Sequence, residues 1–250
     1  MSVAALILAA GRSTRMGTNK LVAELAGKPL IRRTAEVVLA SRARPVIVIT
    51  GHEAEKLAPV LAGLDIIRID NPRHGEGLST SLLAGIAALP DHADAALICL
   101  GDMALIRPAT LDYVIENFEQ EPELGAIVPT FRGEWGNPVL LARKLFAPVT
   151  RLGGDAGARK LLHGRTDVRV FDVDDPAILV DADTPSALAE MRRRVEKNPR
   201  CDEMSSPTGR SRHSRPSGPK GREGKQARHS RPSDPKDREG KGNHTPPRRL

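Results

Sequence analysis

The sequence predicts an α/β fold: a single Rossmann-like domain over residues 1–197, with a mostly parallel sheet and helices on both faces, and then a disordered basic tail over 198–250. Three observations predict it. Short apolar runs alternate with helix-type runs through the first three quarters of the chain, the pattern of repeated βα units. The apolar runs are continuous rather than alternating, as in strands covered on both faces. After Lys197 the composition changes and apolar residues nearly vanish.

Taken in order, strands are expected over Ala4–Leu8, Val46–Ile49, Ile66–Ile69, Ala95–Leu100, Ala126–Val128, Val139–Leu141, Val168–Phe171 and Ile178–Val180. Helices are expected over Pro29–Ser41, Glu53–Ala62, Leu78–Leu89, Pro108–Phe118, Ala156–His163 and Pro185–Lys197. Pro29, Pro108 and Pro185 each open a helix, where the fixed φ of proline suits the first turn. Two strands around the polar turn RGEWGNP (132–138) interrupt the regular alternation.

The tail carries the basic charge. Residues 198–250 hold 14 Lys and Arg against 6 Asp and Glu, whereas the first 197 hold 24 against 25. A net charge of +7 therefore does not make the domain itself a nucleic-acid binder, and any such contact is expected only through the tail. There RHSRPSGPKGREGK recurs as RHSRPSDPKDREGK with a period of 16 residues, but nothing in the repeat can bury a core, and disorder is expected. Two cysteines, Cys99 in an apolar run and Cys201 in the tail, point to a reducing compartment. The apolar start VAALILAA has no preceding basic residue and is too short to span a bilayer, so a cytoplasmic protein without a membrane partner is expected.

The first strand runs into LAAGRSTRMGTNK (8–20). In parallel α/β sheets ligands bind beyond the carboxyl ends of the strands, so this loop is placed to hold something. Small residues at Ala9, Ala10 and Gly11 let backbone N–H groups approach an anion, and Arg12, Arg15 and Lys20 supply the countercharge a triphosphate requires. A Walker A loop and a G-x-G-x-x-G dinucleotide turn both need glycines that are missing.

Asp102 ends the apolar strand AALICL in the tripeptide GDM, where a carboxylate suits Mg²⁺ against triphosphate oxygens. Asp181 and Asp183, in VDADTP, are candidates for the second metal carboxylate; alternatively Asp183 or Thr184 caps the helix that Pro185 opens. In NPRHGEGLSTSL, hydroxyls and free N–H groups at a helix start suit a base edge or ribose. His52, His74 and His163 lack ligand spacing and are assigned no metal.

AAGRSTRMGTNK resembles the opening signature of the nucleotidyltransferases that build molybdopterin dinucleotide cofactors, and is most similar to the molybdenum cofactor cytidylyltransferase family. The similarity continues in order through VITGHE (48–53), Asn71, GLSTSL (77–82), LGDM (100–103), GNPVL (136–140), GDAGAR (154–159) and DADTP (181–185). It implies transfer of CMP from CTP to the phosphate of molybdopterin, with release of pyrophosphate and Mg²⁺ as cofactor. It also implies a molybdoenzyme or its maturation chaperone as recipient of the product.

By that resemblance Lys20, Arg15 and Asp102 are catalytic, and Asp102 and Asp183 hold the metal. The nucleotide would rest on Ala9, Ala10, Gly11, Arg12, Ser13, Gly17, Thr50, Gly51, Asn71, Gly77, Ser79 and Ser81, and the pterin on Asn137, Asp155 and Arg159. The chain departs from the pattern at Ala104, where the family usually has proline, and at Asn137, where many members have histidine. Related signatures leave GTP as nucleotide, or a sugar phosphate or methylerythritol phosphate as acceptor. A non-catalytic nucleotide-binding protein with an RNA-binding tail is the alternative from another class.

Overall fold

The computed structural model describes residues 1–13, 17–154 and 157–197. The elements in chain order are β1 (Val3–Ala9), β2 (Glu24–Leu25), β3 (Lys28–Pro29), α1 (Leu30–Leu39), β4 (Val46–Thr50), α2 (Ala54–Val60), β5 (Ile67–Asp70) and α3 (Leu78–Ala87). They continue with β6 (Ala95–Leu100), α4 (Pro108–Gln120), β7 (Ala126–Phe131), β8 (Glu134–Trp135) and β9 (Val139–Ala142). The last are α5 (Phe146–Val149), α6 (Ala158–Leu162), β10 (Val168–Asp172) and α7 (Pro185–Lys197).

The main sheet has the order β10-β7-β9-β6-β1-β4-β5, with β8 paired to β7. Neighbours β6, β1, β4 and β5 are parallel, as are β7 and β10. β9 is antiparallel to both β6 and β7, with Val139 opposite Ile98 and Leu140 opposite Ile127. From β1 the chain winds outward to β4 and β5, then crosses back to β6 on the other side of β1. That reversal opens a crevice beyond the carboxyl ends of β1 and β6.

Both faces of the sheet are covered, which is why its central strands read as unbroken apolar runs. Ala5 and Ile7 face α1 and α4 with Ile31, Ala35, Leu111 and Phe118, whereas Leu6 and Leu8 face α3, α5 and α6 with Leu82, Val149 and Leu162. A fully buried leucine or isoleucine of this kind contributes about 1.5–3 kcal/mol. A third cluster joins Leu25, Leu30, Ala104 and Ala182 to Leu188, Met191 and Val195 of α7. Ala104 thus packs into a core where the family pattern has proline.

Four expectations are corrected. Ile178–Val180 is no strand: Asp175 Oδ1 accepts from the Ala177 N–H and starts a 3₁₀ turn over Pro176–Leu179. Pro29 lies in the small β2–β3 hairpin and only precedes α1, so two of the three prolines, Pro108 and Pro185, open helices. α2 is shorter than Glu53–Ala62, with Glu53 in the left-handed region (φ 53°) just before it. The helix expected from Ala156 is described only over Ala158–Leu162. The repeat and the rest of the tail lie outside the described residues, as do Arg15 and Asp155. No helix among the described residues is long and apolar enough to cross a membrane.

Candidate active site

β1 delivers the chain at Ala9 into the loop that begins Ala10-Gly11-Arg12-Ser13. The loop ends at Asn19, whose Oδ1 accepts from the Leu21 N–H at 3.1 Å and starts one 3₁₀ turn over Lys20–Val22. Ser13 Oγ accepts from the Lys20 N–H at 3.1 Å, tying the two ends of the loop together.

Lys20 Nζ donates to Asp102 Oδ2 at 2.6 Å and to Asp183 Oδ1 at 2.5 Å. Asp102 stands just beyond β6, with its side chain 4% exposed, and its Oδ2 also accepts from the Ala182 N–H at 3.0 Å. The segment bearing Asp183 is thereby stitched to the end of β6. Burial works against the Lys20 ammonium, but the nearby Asp102 carboxylate, assisted by Asp183, outweighs it and holds the pKa above the ordinary lysine value. Thr184 resolves the capping question: its Oγ1 accepts from the Ala187 N–H at 3.1 Å, so Asp183 is not needed to cap α7.

Asp102, Asp181 and Asp183 each offer a carboxylate oxygen, and these atoms lie within 4.8 Å of one another. Partial burial, and then the charges of Asp183 and Asp102, raise the pKa of Asp181. An all-oxygen donor set with like charges crowded together fits a hard divalent cation such as Mg²⁺ or Mn²⁺. Cys99, one residue before the end of β6, is buried and its thiol is pushed up to about 12, so it offers no thiolate.

These groups face a cleft of about 490 Å³. Of the expected nucleotide residues, Ala9, Ala10, Gly11, Arg12, Ser13, Gly77 and Ser81 line it, together with Lys20, Asp102, Asp181 and Asp183. Thr50, Gly51, Asn71 and Ser79 stand outside that lining. Asn71 is buried and braces the first turn of α3: its Nδ2 donates to Thr80 Oγ1 at 3.0 Å and to Ser81 Oγ at 3.1 Å. The Ala10 methyl is buried and directed towards Gly51, where a Cβ would stand 2.9 Å from it. Gly17, with φ 70°, is exposed in the loop.

A second chamber, of about 170 Å³, shares Leu100 and Asp181 with the cleft and contains Asn137 and Arg159. β9 accounts for this: running against β6, it brings its start beside the end of β6, and the Asn137 N–H is fixed on the Ile178 carbonyl at 2.9 Å. Burial lowers the pKa of Arg159, opposed by the charges of Glu134 and Asp181. Sequence reasoning missed Glu134 and Trp135, which line this chamber, and His74 and Gly75, which wall the first. Trp135 is the single tryptophan of the chain and stacks on His163, with centroids 5.4 Å apart; its uniqueness was the available signal.

Residues 5–170 match the family model described as the MobA-like NTP transferase domain. The chain is 35% identical over 118 residues to the bifunctional protein GlmU of Anaeromyxobacter sp. (strain K), covering 45% of this chain and 24% of that protein. It is 30% identical over 135 residues to a probable molybdenum cofactor guanylyltransferase of Thermococcus sibiricus, covering 54% of this chain and 65% of that one. Among solved structures, the complex of Rv0371c from Mycobacterium tuberculosis with manganese superposes with a TM-score of 0.65 at 26% identity, over 77% of this chain and 99% of that one. The chain thus spans a quarter to two thirds of the length of these two curated relatives.

Proposed function

Since the chain belongs to the family of MobA-like NTP transferases, we propose that it is a nucleotidyltransferase that moves CMP from CTP to the terminal phosphate of molybdopterin and releases pyrophosphate. The single observation that carries this reading is Lys20 set between Asp102 and Asp183 at the floor of the cleft. An acceptor phosphate oxygen attacks the α-phosphorus, a new P–O bond forms, and the bond to the bridging oxygen of the β-phosphate breaks. That acceptor is already anionic at neutral pH, so positioning and charge neutralisation carry the catalysis and no general base is required.

In this reading the backbone of Ala10–Ser13 cradles the triphosphate, while Arg12, Arg15 and Lys20 offset its charge and that of the departing pyrophosphate. Asp102 and Asp183, with Asp181 beside them, would hold Mg²⁺, which when bound neutralises charge on the α-phosphate. The manganese complex of Rv0371c supports the use of a divalent cation. Ser81, with Gly77, would hold the ribose and base, Ser79 would support them from behind the cleft wall, and Asn71 would act by bracing Thr80 and Ser81. Asn137, Arg159 and Asp155 would serve the acceptor from the second chamber.

This reading takes CTP as the nucleotide because the loop has Ala10 where GTP-using members of the family tend to have glycine; the methyl packs towards Gly51 and would act on the base through that neighbouring loop. The guanylyltransferase relative favours GTP as the second reading. Incubation of the purified chain with molybdopterin and radiolabelled CTP or GTP tests both. The expected result is a cytosine dinucleotide, with CTP favoured at least about tenfold in kcat/KM, equivalent to ~1.4 kcal/mol in transition-state binding. Equal efficiencies would remove the cytidylyl assignment. Product with a sugar phosphate but none with molybdopterin would remove the acceptor.

A further inference from the structure

Lys20 stands where the cation is expected. Its Nζ lies 2.6 Å from Asp102 Oδ2 and 2.5 Å from Asp183 Oδ1, on two of the three carboxylates whose ligand oxygens cluster within 4.8 Å. A Mg²⁺ or Mn²⁺ ion bound to Asp102 Oδ2 at about 2.1 Å would be no further than about 4.7 Å from that ammonium. At such a separation, with few solvent molecules between them, the two cations repel strongly and compete for the same lone pairs.

The two sides of the contact differ in freedom. Asp102 is short, buried and anchored by the Ala182 N–H, so its carboxylate keeps its place. Lys20 hangs on a flexible four-carbon stem whose backbone N–H is fixed to Ser13 in the opening loop. Its side chain is 17% exposed and lines the cleft, so a swing of the stem moves the ammonium from the carboxylates into that space.

We infer that Lys20 is a built-in counter-ion of the acidic cluster, which a nucleoside triphosphate draws away, so that divalent cation and nucleotide enter the site as a pair. This rests on the reading of Asp102 and Asp183 as metal ligands and of the cleft as a triphosphate site. The ammonium balances the carboxylates until the β- and γ-phosphates offer it stronger partners, and its departure frees the oxygens that the cation needs. Lys20 then holds two positions, one on the protein and one on the triphosphate.

The test is a titration of the full chain with Mn²⁺ alone, followed by the electron paramagnetic resonance signal of the free ion. Lys20→Gln is expected to bind Mn²⁺ at least about tenfold more tightly than the unmodified chain. A second measurement needs no variant: α,β-methylene-CTP should tighten Mn²⁺ binding to the unmodified chain, and CMP, which lacks the β- and γ-phosphates, should not. Equal affinities in Lys20→Gln and the parent, or equal tightening by CMP, would overturn the inference. Mn²⁺ binding that Asp102→Asn leaves unchanged in the presence of the analogue would instead overturn the metal reading on which it rests.

Discussion

The guanidinium of Arg12 lies across Gly75, with Nη2 2.8 Å from where a Cβ on that glycine would stand. The loop before α3 therefore sets the position of a cation in the opening loop, and it can do so only where it lacks a side chain. Gly75→Ala should displace the flexible end of Arg12 and little else. The expected outcome is a several-fold rise in KM for the nucleotide with kcat nearly kept, and a stability change within about 0.5 kcal/mol. Steady-state kinetics and a urea melt check both halves. An unchanged KM would place Arg12 outside the nucleotide site.

Removing either half of the Lys20–Asp102 contact should be felt in turnover. Lys20→Ala loses a charge-assisted phosphate contact, which costs about 1.5–3 kcal/mol, roughly tenfold to a hundredfold in rate. Asp102→Asn keeps the shape and removes the charge, so activity should collapse and extra Mg²⁺ should restore it poorly. An unaltered Mg²⁺ response in that variant would make Asp102 a structural residue.

Asn71 offers a test of bracing against direct contact. Its side chain is buried and holds Thr80 and Ser81, while Oδ1 accepts from the Arg73 N–H at 3.0 Å. Asn71→Ala would leave those groups short of partners, at a cost of about 1–3 kcal/mol. A lowered denaturation midpoint is expected, with nucleotide affinity falling in step. Normal stability with lost affinity would show that Asn71 touches the nucleotide itself.

A fourth prediction concerns acid stability. Asp167 accepts from Arg165 at 2.8 and 2.9 Å and pairs with Lys144 at 3.2 Å, chiefly through the Arg165 hydrogen bonds, and its pKa is lowered to about 2. A depressed carboxyl stabilises the fold fully above its ordinary pKa, and that stabilisation is lost as pH falls through the folded value. The difference between the parent and Asp167→Asn should thus be present at pH 7, at about 0.2–1 kcal/mol for a screened surface pair, and fade between about pH 4 and pH 2. Urea midpoints across that range measure it, and a difference that persists below pH 2 would contradict it.

The parts of the fold that could be read from sequence are those where burial is two-sided. β1 and β4 are buried along their whole length, and β6 up to its last residue, and they announce themselves as apolar runs. At the sheet edges β5 and β10 are largely exposed, so their ends were less distinct. Ile178–Val180 misled because three apolar residues in a row look alike in a strand and in a 3₁₀ turn, and only the Asp175 cap tells them apart. In the site, Lys20 and Asp102 were legible as loop and strand-end chemistry. The choice between Asp183 and Thr184 as helix cap needed coordinates, because both residue types can cap. Gly75 was out of reach, since its importance lies in a partner about 60 residues away along the chain, and for Trp135 only its uniqueness hinted at a role, its partner His163 being about 30 residues away.

The reversed strand β9 makes a seam in the molecule. On one side lies the early segment, β1 to β6, which furnishes the larger cleft except for Asp181 and Asp183; on the other lie β7, β8 and β10 with the smaller chamber, which Leu100 and Met103 complete from the early side. Among the described residues, only the two pairings of β9, to β6 and to β7, knit these halves into one sheet. Substitutions in β7, β8 and β10 can therefore remodel the second chamber while the first keeps its register. A chimaera joined just before β7 exchanges that later segment in one piece, and it keeps the larger cleft complete when the incoming chain also carries aspartates at the places of Asp181 and Asp183.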